Sequence, residues 1–217
     1  MNMRTKLLLI CVALAAAASG GFLAYVAGEA ASEPPQTDGV ILDQPRLIPE
    51  VSMRDHHGER WTPDQFEGDW TLVFFGFTNC PDVCPETMIK MNRVDSQLRA
   101  NGDVTPPRVL FVSVDPKRDT PDRLADYVPY FNEDFLGVTG NREDIAKLSE
   151  AMGVPFMPPA EEGADDYLVD HGASLTLVGP DGHIRAFFTT PHDADRIADD
   201  LELMIPWLEN QIDEQDL

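Results

Sequence analysis

The chain has 217 residues, of which 43% are hydrophobic and 25% charged, and this fits one globular domain plus a targeting segment. Its formal net charge is −22; 14 of the 16 basic residues and all 38 acidic ones follow residue 28, which leaves that part at −24. Such a field excludes nucleic acid as a partner and repels anionic lipid headgroups. It favours cations and basic partner surfaces.

An apolar segment opens the chain. Residues 7–27 carry no charge and follow Arg4 and Lys6. Their length matches the roughly 20 residues that a helix needs to cross a bilayer, and the basic flank keeps residues 1–6 in the cytoplasm. We predict a transmembrane anchor over residues 7–27; a cleaved signal peptide is the alternative, because residues 15–19 are small.

Both alternatives export the rest of the chain. Nothing in the N-terminus is rich in Arg and Ser as a mitochondrial transit peptide would be. We therefore expect a single-pass protein of the bacterial inner membrane, with its soluble domain in the periplasm. Residues 28–48, with scattered Pro, Gly and acids, are predicted to be a linker. The domain then covers residues 49–212, and residues 213–217 form an acidic tail.

Within this domain, runs of apolar residues alternate with helical patterns. A turn at His56 and His57 predicts an N-terminal hairpin of residues 50–53 and 60–62. The elements that follow are a buried strand over 70–77, a helix opening at Pro85, a buried strand over 108–114, a helix over 120–130, a short strand over 135–138, a helix over 142–152, an acidic loop over 154–166, a hairpin of 173–178 and 183–188, and a helix over 194–210. This alternation predicts an α/β layered domain and leaves the strand order open.

A close pair of cysteines lies between the first buried strand and its helix. Cys80 and Cys84 are the only cysteines after residue 28, so the chain is no disulfide-stapled scaffold. Backbone N–H groups and the helix dipole favour anions at a helix start. We therefore expect both sulfurs to ionise more readily than a free cysteine.

Three kinds of chemistry are open to this pair. A static disulfide would close too short a loop to stabilise the chain much. Dithiol redox chemistry of the thioredoxin type uses two intervening residues, whereas three separate Cys80 from Cys84. A metal site is the third alternative: two thiolates cannot complete a tetrahedral zinc site, but they supply most of a copper(I) site.

A further ligand for such a site would have to come from elsewhere in the chain. His56, His57, His183 and His192 lie in predicted turns or near a helix start, where a solvated histidine is the usual finding. His171 differs, because it directly precedes a buried strand, and sites gather in the loops at strand ends.

Three stretches of the chain resemble the Sco/SenC family of copper-binding assembly proteins. Residues 74–85 carry the two cysteines, each followed by Pro; residues 112–124 hold a second motif, Val-Ser-Val-Asp-Pro-Lys-Arg-Asp-Thr-Pro; and residues 166–177 contain the histidine. Together with the anchor, the resemblance spans about residues 40–210. For residues 115–120 the resemblance implies a role in shaping the domain beside the site; a purely structural role, as a strand end and helix cap, is the alternative.

The resemblance implies a thioredoxin-like fold, with a central mixed sheet flanked by helices. It also implies that Cys80, Cys84 and His171 bind one copper ion, as copper(I) or copper(II). The implied role is a metallochaperone, not an enzyme, that helps to build the binuclear copper site of cytochrome c oxidase. Its expected partners are the copper-site subunit of that oxidase and an upstream copper donor.

A thiol–disulfide reductase that keeps the subunit's copper-site cysteines reduced is the alternative. A pure reductase does not need His171, and no proline directly precedes the strand over 173–178, where thioredoxin-type oxidoreductases place one. A peroxidase fits less well, because no Thr and Arg surround a peroxidatic cysteine.

Several neighbouring residues remain ambiguous. Asp82 and Asp170 are either solvated or orient a ligand, and Met157 is either a packing residue or an auxiliary soft donor. The chain departs from the family in Gly172, where Ser is usual, and in residues 154–159, where aromatic residues usually follow the Gly-Val pair.

Overall fold

The computed structural model describes Thr5, residues 33–157 and residues 167–215. The chain divides into two compact units, Met1–Pro35 and Gln36–Leu217, and the second contains the folded domain.

The domain is built on one eight-stranded mixed sheet, with strands in the order β1–β10–β9–β4–β5–β6–β2–β3. These strands are β1 (Val40–Leu47), β2 (Met53–Asp55), β3 (Arg60–Trp61), β4 (Thr71–Gly76), β5 (Arg108–Ser113), β6 (Leu136–Thr139), β9 (Leu175–Val178) and β10 (His183–Phe188). A separate two-stranded ladder pairs β7 (Phe156–Met157) with β8 (Asp170–His171).

The parallel strands β4, β5 and β6 lie in the middle of the sheet. Every residue of β4 is buried, and so is every residue of β5 after Arg108. Strands covered on both faces are continuous apolar runs, and this is why the sequence predicts these two clearly. Because the C-terminal ends of parallel strands meet at one edge, the loops that follow β4 and β5 converge there.

The described residues of the domain also form a short 3-10 helix (Pro63–Phe66) and four α-helices: α1 (Val83–Asn101), α2 (Pro121–Tyr127), α3 (Arg142–Ala151) and α4 (Ala194–Gln215). α1 packs against α4, and α2 packs against β6. Thr120 caps α2 by accepting a hydrogen bond from the Arg123 amide, and α1 ends at Gly102, whose φ of 75° is the left-handed conformation common after helices.

The predicted N-terminal hairpin is confirmed. β2 and β3 pair antiparallel, with Met53 opposite Trp61, and β2 joins the sheet by pairing with β6. The alternation of buried strands and helices is likewise an α/β domain, as predicted.

The linker prediction is wrong for part of its length. Residues 40–47 form β1, which pairs antiparallel with β10. The register is irregular between Ile41 and Arg46, and Pro45 lies within this irregular part. The strand could not be recognised in the sequence, because it contains a proline and its polar and apolar residues do not alternate regularly.

Two further boundaries differ from prediction. α4 continues to Gln215, so residues 213–215 are helical and not part of a separate tail. Residues 156–157, placed in a loop, form β7, while residues 158–166 lie outside the described part of the chain.

The predicted anchor over residues 7–27 also falls outside the described residues. Among those that are described, no helix has both the length and the apolar character needed to cross a membrane.

Candidate metal centre

The two cysteines lie where β4 gives way to α1. Cys80 is in the connecting loop and is partly buried, whereas Cys84 is in the first turn of α1 and is fully buried. Both are free thiols. Their different exposure means that a second molecule can reach Cys80 more easily than Cys84.

The sulfur of Cys80 takes the place of a helix cap. Asp82, at the N-cap position, makes no side-chain capping bond. The backbone N–H of Cys84 instead donates to the Cys80 sulfur over 3.4 Å. The side chain of Asp82 is exposed, which agrees with the solvated alternative for this residue.

Gly76 makes room for the buried thiol. A Cβ atom at this position would lie 3.0 Å from the Cys84 sulfur and 2.8 Å from Cε2 of Phe111. Any larger residue at the end of β4 would therefore push either the thiol or the aromatic ring out of place.

His171 reaches the same place from a distant part of the chain. It lies on β8, opposite Phe156 on β7, and its Nε2 is 3.6 Å from the Cys84 sulfur. Its Nδ1 is 2.9 Å from the carbonyl oxygen of Gly172. A carbonyl can only accept, so Nδ1 carries the proton and Nε2 presents its lone pair to the thiol.

Aromatic rings limit the space around His171. The ring of Phe77 is 5.8 Å from the imidazole centroid and that of Phe74 is 6.4 Å away, both in edge-to-face arrangements. With the Gly172 bond, these contacts hold the orientation of the ring, as is usual for metal-binding histidines.

The prediction that the sulfurs ionise more readily than a free cysteine is wrong for Cys84. Burial raises the pKa of the Cys84 thiol, and the neighbouring Cys80 adds to this effect, while a hydrogen bond with the backbone of Phe77 opposes it. The cost of desolvation outweighs the stabilisation that a helix start gives to a thiolate, because a fully buried charge loses its hydration. The raised pKa favours the neutral thiol of Cys84, which can donate to His171 Nε2, and a metal would have to displace this proton.

The side chains of Cys80, Cys84 and His171 do not form a three-ligand group in this structure. Within residues 33–157 and 167–215, no three side chains of His, Cys, Asp or Glu are grouped closely enough to hold an ion. The structure brings Cys84 together with His171, and Cys80 with the backbone of Cys84.

The loop between β5 and α2 anchors the cysteine loop. The carboxylate of Asp119 accepts hydrogen bonds from the Thr78 amide at 3.0 Å, the Thr78 hydroxyl at 2.7 Å and the Ser113 hydroxyl at 2.6 Å. Burial raises the pKa of Asp119, and these three donors oppose the shift. Thr78 precedes Cys80 by two residues, so this carboxylate fixes the path of the chain into the site.

The same loop also anchors the segment that leads to His171. Arg118 pairs with Asp115, donates to the backbone carbonyl of Tyr167 over 3.0 Å and places its guanidinium carbon 3.6 Å from the centre of the Tyr167 ring. The Tyr167 hydroxyl donates to Asp115 over 2.6 Å. Asp115, Arg118 and Tyr167 thus form a partly buried network, called here the tyrosine clamp.

The family resemblance implied that residues 115–120 shape the domain beside the site, but it did not identify the partners of Asp115, Arg118 and Asp119. The predicted helix cap at Thr120 is present, but Asp115, Arg118 and Asp119 do more than end a strand. Two acids and an arginine directly after a fully buried strand were the available signal. Their partners, 41 and 52 residues away in the chain, could not be read from local patterns.

Two of the histidines interpreted as solvated are in fact buried. His192 lies 2.6 Å, through Nε2, from the carbonyl oxygen of Ala173, two residues after His171. His56 accepts a hydrogen bond from the Gly137 amide at 3.0 Å. Both act on backbone groups and neither is near the cysteines by any contact described.

The remaining neighbours have simpler outcomes. Met157 is 65% exposed, so it is not a packing residue. The side chain of Asp170 is not among those described. A Cβ at Gly172 would lie 3.2 Å from Cγ1 of Val154, so the glycine accommodates this valine.

Comparison with known proteins identifies the family. The SCO1/SenC family model matches residues 42–206, which is more than half of the chain. The chain belongs to the SCO1/SenC family. Protein sco1 of Schizosaccharomyces pombe is 38% identical over 181 residues, covering 81% of this chain and 68% of that protein. Protein SCO1 homolog, mitochondrial, of Homo sapiens is 39% identical over 150 residues, covering 68% of this chain and 49% of that protein.

Solved structures of SCO1/SenC proteins have the same fold. ScoI of Arabidopsis thaliana, crystallised with copper bound, superposes with a TM-score of 0.68 at 34% identity, covering 74% of this chain and 98% of that one. The mixed sheet with flanking helices is therefore the thioredoxin-like fold of SCO1/SenC proteins, as the sequence resemblance implied.

Proposed function

We propose that this chain binds one copper ion through Cys80, Cys84 and His171, and that it delivers copper during the assembly of cytochrome c oxidase. The observation that carries the proposal is the contact of 3.6 Å between the Cys84 sulfur and His171 Nε2, two groups 87 residues apart in the chain.

The donor set fits copper. Thiolate sulfur is the soft ligand that copper(I) prefers, and imidazole suits both copper oxidation states. Bond lengths like those of zinc, about 2.3 Å to sulfur and about 2.0 Å to imidazole nitrogen, would place the two donor atoms about 3.7 Å apart at the 120° angle of a three-ligand site. The observed separation of the Cys84 and His171 donor atoms is close to this value.

Binding requires one local change. The Cys80 sulfur accepts from the Cys84 amide, so it must leave or share this bond when it joins the other two donors. Because Cys80 is the more exposed thiol, an incoming ligand of a partner protein reaches the ion from this side. Few ligands and one accessible edge suit a protein that passes its ion on.

The protein that receives the copper and the cellular compartment are inferred from the family resemblance and from the N-terminal sequence. The copper-site subunit of cytochrome c oxidase is the proposed recipient, and an upstream copper donor the proposed source. The uncharged residues 7–27, preceded by basic residues, support a single-pass anchor in a bacterial inner membrane, with the domain in the periplasm.

Copper binding by the full chain, reduced and purified in detergent, tests the ligand set. We expect about one copper per chain, with a sulfur-to-copper(II) charge-transfer band in the oxidised form. His171→Ala should lose this band while Cys80 and Cys84 still form a disulfide under oxidation. Cys80→Ser and Cys84→Ser should lose both properties.

Two matched controls belong to this experiment. His183→Ala removes a histidine distant from the cysteines, and Cys11→Ser removes the third cysteine; both should bind copper as the wild type does. Stoichiometric copper with an unchanged charge-transfer band in His171→Ala would contradict the three-ligand site.

The reductase alternative is less well supported by the site. A simple dithiol reductase does not need the contact of His171 with Cys84, whereas a three-ligand copper site uses both groups. Reduction of an oxidised copper-site peptide by the His171→Ala variant at the wild-type rate, without copper, would favour the reductase.

A further inference from the structure

A cavity of about 490 Å³ lies between the β2–β3 hairpin and the loop after β5. Its walls include Pro116 and Thr120 on one side and Arg54, Arg60 and Thr139 on the other. This volume is within the range of small-molecule sites in proteins.

Two arginines face each other on one wall of this cavity. Arg54 and Arg60 are directly opposite in the antiparallel pair of β2 and β3, so their side chains extend from the same face of the hairpin. Like charges in directly opposite positions destabilise a sheet. In a domain with so large an acidic excess, carboxylate partners for both would be expected.

Neither arginine has such a partner. Arg54 donates to the Gly58 carbonyl and Arg60 to the Ser52 hydroxyl, and neither forms an ion pair with any carboxylate in the described parts of the chain. Each guanidinium has five N–H donors, so most of them remain available. The Asp119 carboxylate, which also lines the cavity, is already engaged by Thr78 and Ser113.

A buried hydroxyl extends the row of donors. Thr139 lies opposite Arg54 in the pairing of β2 with β6, so Arg60, Arg54 and Thr139 follow one another across three strands. The Thr139 hydroxyl is buried without a hydrogen-bond partner among the described residues, and Thr139 is one of the residues that line the cavity. A buried polar group without a partner is uncommon and calls for an explanation.

We propose that this cavity binds a small solute through a phosphate or carboxylate group, held by Arg54, Arg60 and the hydroxyl of Thr139. The planar guanidinium is suited to two-point contact with these oxyanions. One anion between the two arginines offsets their repulsion, and its oxygens accept from the Thr139 hydroxyl. The site is separate from the proposed copper ligands and stands whether or not they bind copper.

Titration of the full chain in detergent with inorganic phosphate, and separately with succinate, tests this site by calorimetry. Sodium chloride at matched ionic strength gives the non-specific baseline. We expect saturable binding of at least one of the two probes, and the comparison of phosphate with succinate identifies the preferred oxyanion. No saturable heat with either probe would overturn the proposal.

Variants of the row locate the binding. Arg54→Ala and Arg60→Ala should each weaken binding by about tenfold or more, because charge-assisted hydrogen bonds are lost. Thr139→Val, which keeps the shape and the charge, should weaken it about threefold, as expected for one neutral hydrogen bond. Arg46→Ala on β1, an exposed arginine whose guanidinium packs over Phe187, is the matched control and should bind like the wild type.

A second measurement separates binding from folding. If the two arginines only repel each other without ligand, Arg60→Ala should unfold at a temperature no lower than the wild type in anion-free buffer. Phosphate or succinate should raise the unfolding temperature of the wild type and of Arg46→Ala but not of Arg60→Ala. Equal binding by Arg54→Ala, Arg60→Ala and wild type, or an equal loss in Arg46→Ala, would overturn the proposal.

Discussion

The carboxylate of Asp119 accepts hydrogen bonds from both the amide and the hydroxyl of Thr78, across 41 residues of sequence. This contact ties the end of β4 to the loop after β5. It lets a residue that is not a proposed ligand control where Cys80 lies.

Removing this carboxylate should loosen the cysteine loop. We expect Asp119→Ala to lower the free energy of unfolding by about 2 kcal/mol, because three donors lose their acceptor. Copper affinity should fall by about tenfold, the cost of holding Cys80 less firmly. Chemical denaturation and a competitive copper titration measure the two effects.

The matched control is Asp126→Ala, an exposed acid on α2 that carries the same charge. It should change neither quantity. Asp119→Asn should be milder than Asp119→Ala, because burial already favours the neutral acid at this position. Equal copper affinity of Asp119→Ala and the wild type would contradict the anchoring role.

The tyrosine clamp should be sensitive to the shape of Arg118 as well as its charge. Arg118→Lys retains the charge but loses the stacking on Tyr167 and one of the two directed hydrogen bonds. We expect copper affinity to fall by about three- to tenfold, with an altered charge-transfer spectrum, because His171 is held less firmly. Lys117→Ala, at an exposed neighbour, should leave the spectrum unchanged.

Gly76 should tolerate no side chain. Gly76→Ala places a methyl group 2.8 Å from a ring carbon of Phe111 and 3.0 Å from the Cys84 sulfur. We expect a loss of stability of about 1–3 kcal/mol, as for other overpacked cores. Thermal unfolding of the variant without copper measures it. A wild-type unfolding temperature would show that the thiol and the ring can move apart at little cost.

His56 should make stability depend on pH. Its Nδ1 accepts from the Gly137 amide, and burial lowers the pKa of this histidine, with the neighbouring His57 adding to the effect and Asp55 opposing it. The folded state therefore binds the proton less readily than the unfolded chain. Stability should be full above the unfolded pKa of about 6.5 and should fall as the pH drops through that value toward the lower folded pKa.

Denaturation midpoints between pH 7.5 and pH 5.5 check this. The His56→Asn variant can still accept from the Gly137 amide through its amide oxygen, but it has no group that titrates there. Between pH 7.5 and pH 5.5 it should therefore lose about 1 kcal/mol less stability than the wild type, the value of one hydrogen bond. His183→Asn leaves the Gly137 bond intact and should keep the wild-type slope. An identical slope in His56→Asn and wild type would assign the effect to other groups.

The parts of the fold that the sequence predicted are those with strong local patterns. β4 and β5 are continuous apolar runs, and the hairpin of β9 and β10 is marked by the Gly-Pro-Asp-Gly turn. β1 was missed because Pro45 and an irregular register remove its alternation. β7 and β8 have two residues each, too few for any periodicity.

The same distinction between local patterns and distant contacts applies to the candidate site. The close spacing of Cys80 and Cys84 is visible in the sequence, and the position of His171 before a buried strand made it a candidate. The raised pKa of Cys84 was not predictable, because it depends on burial by residues distant in the chain. The helix dipole that suggested the opposite acts on a thiol that the fold removes from water.

The loop after β5 contacts the segments of both proposed ligand groups while supplying no ligand of its own. A chain of this kind can therefore keep its two cysteines and its histidine and still bind copper poorly, if Asp115, Arg118 or Asp119 is replaced. Genetic variants in this loop would mimic the loss of a metal-binding residue. A sequence survey that checks only the Cys-x-x-x-Cys pair and the histidine would count such proteins as able to bind copper.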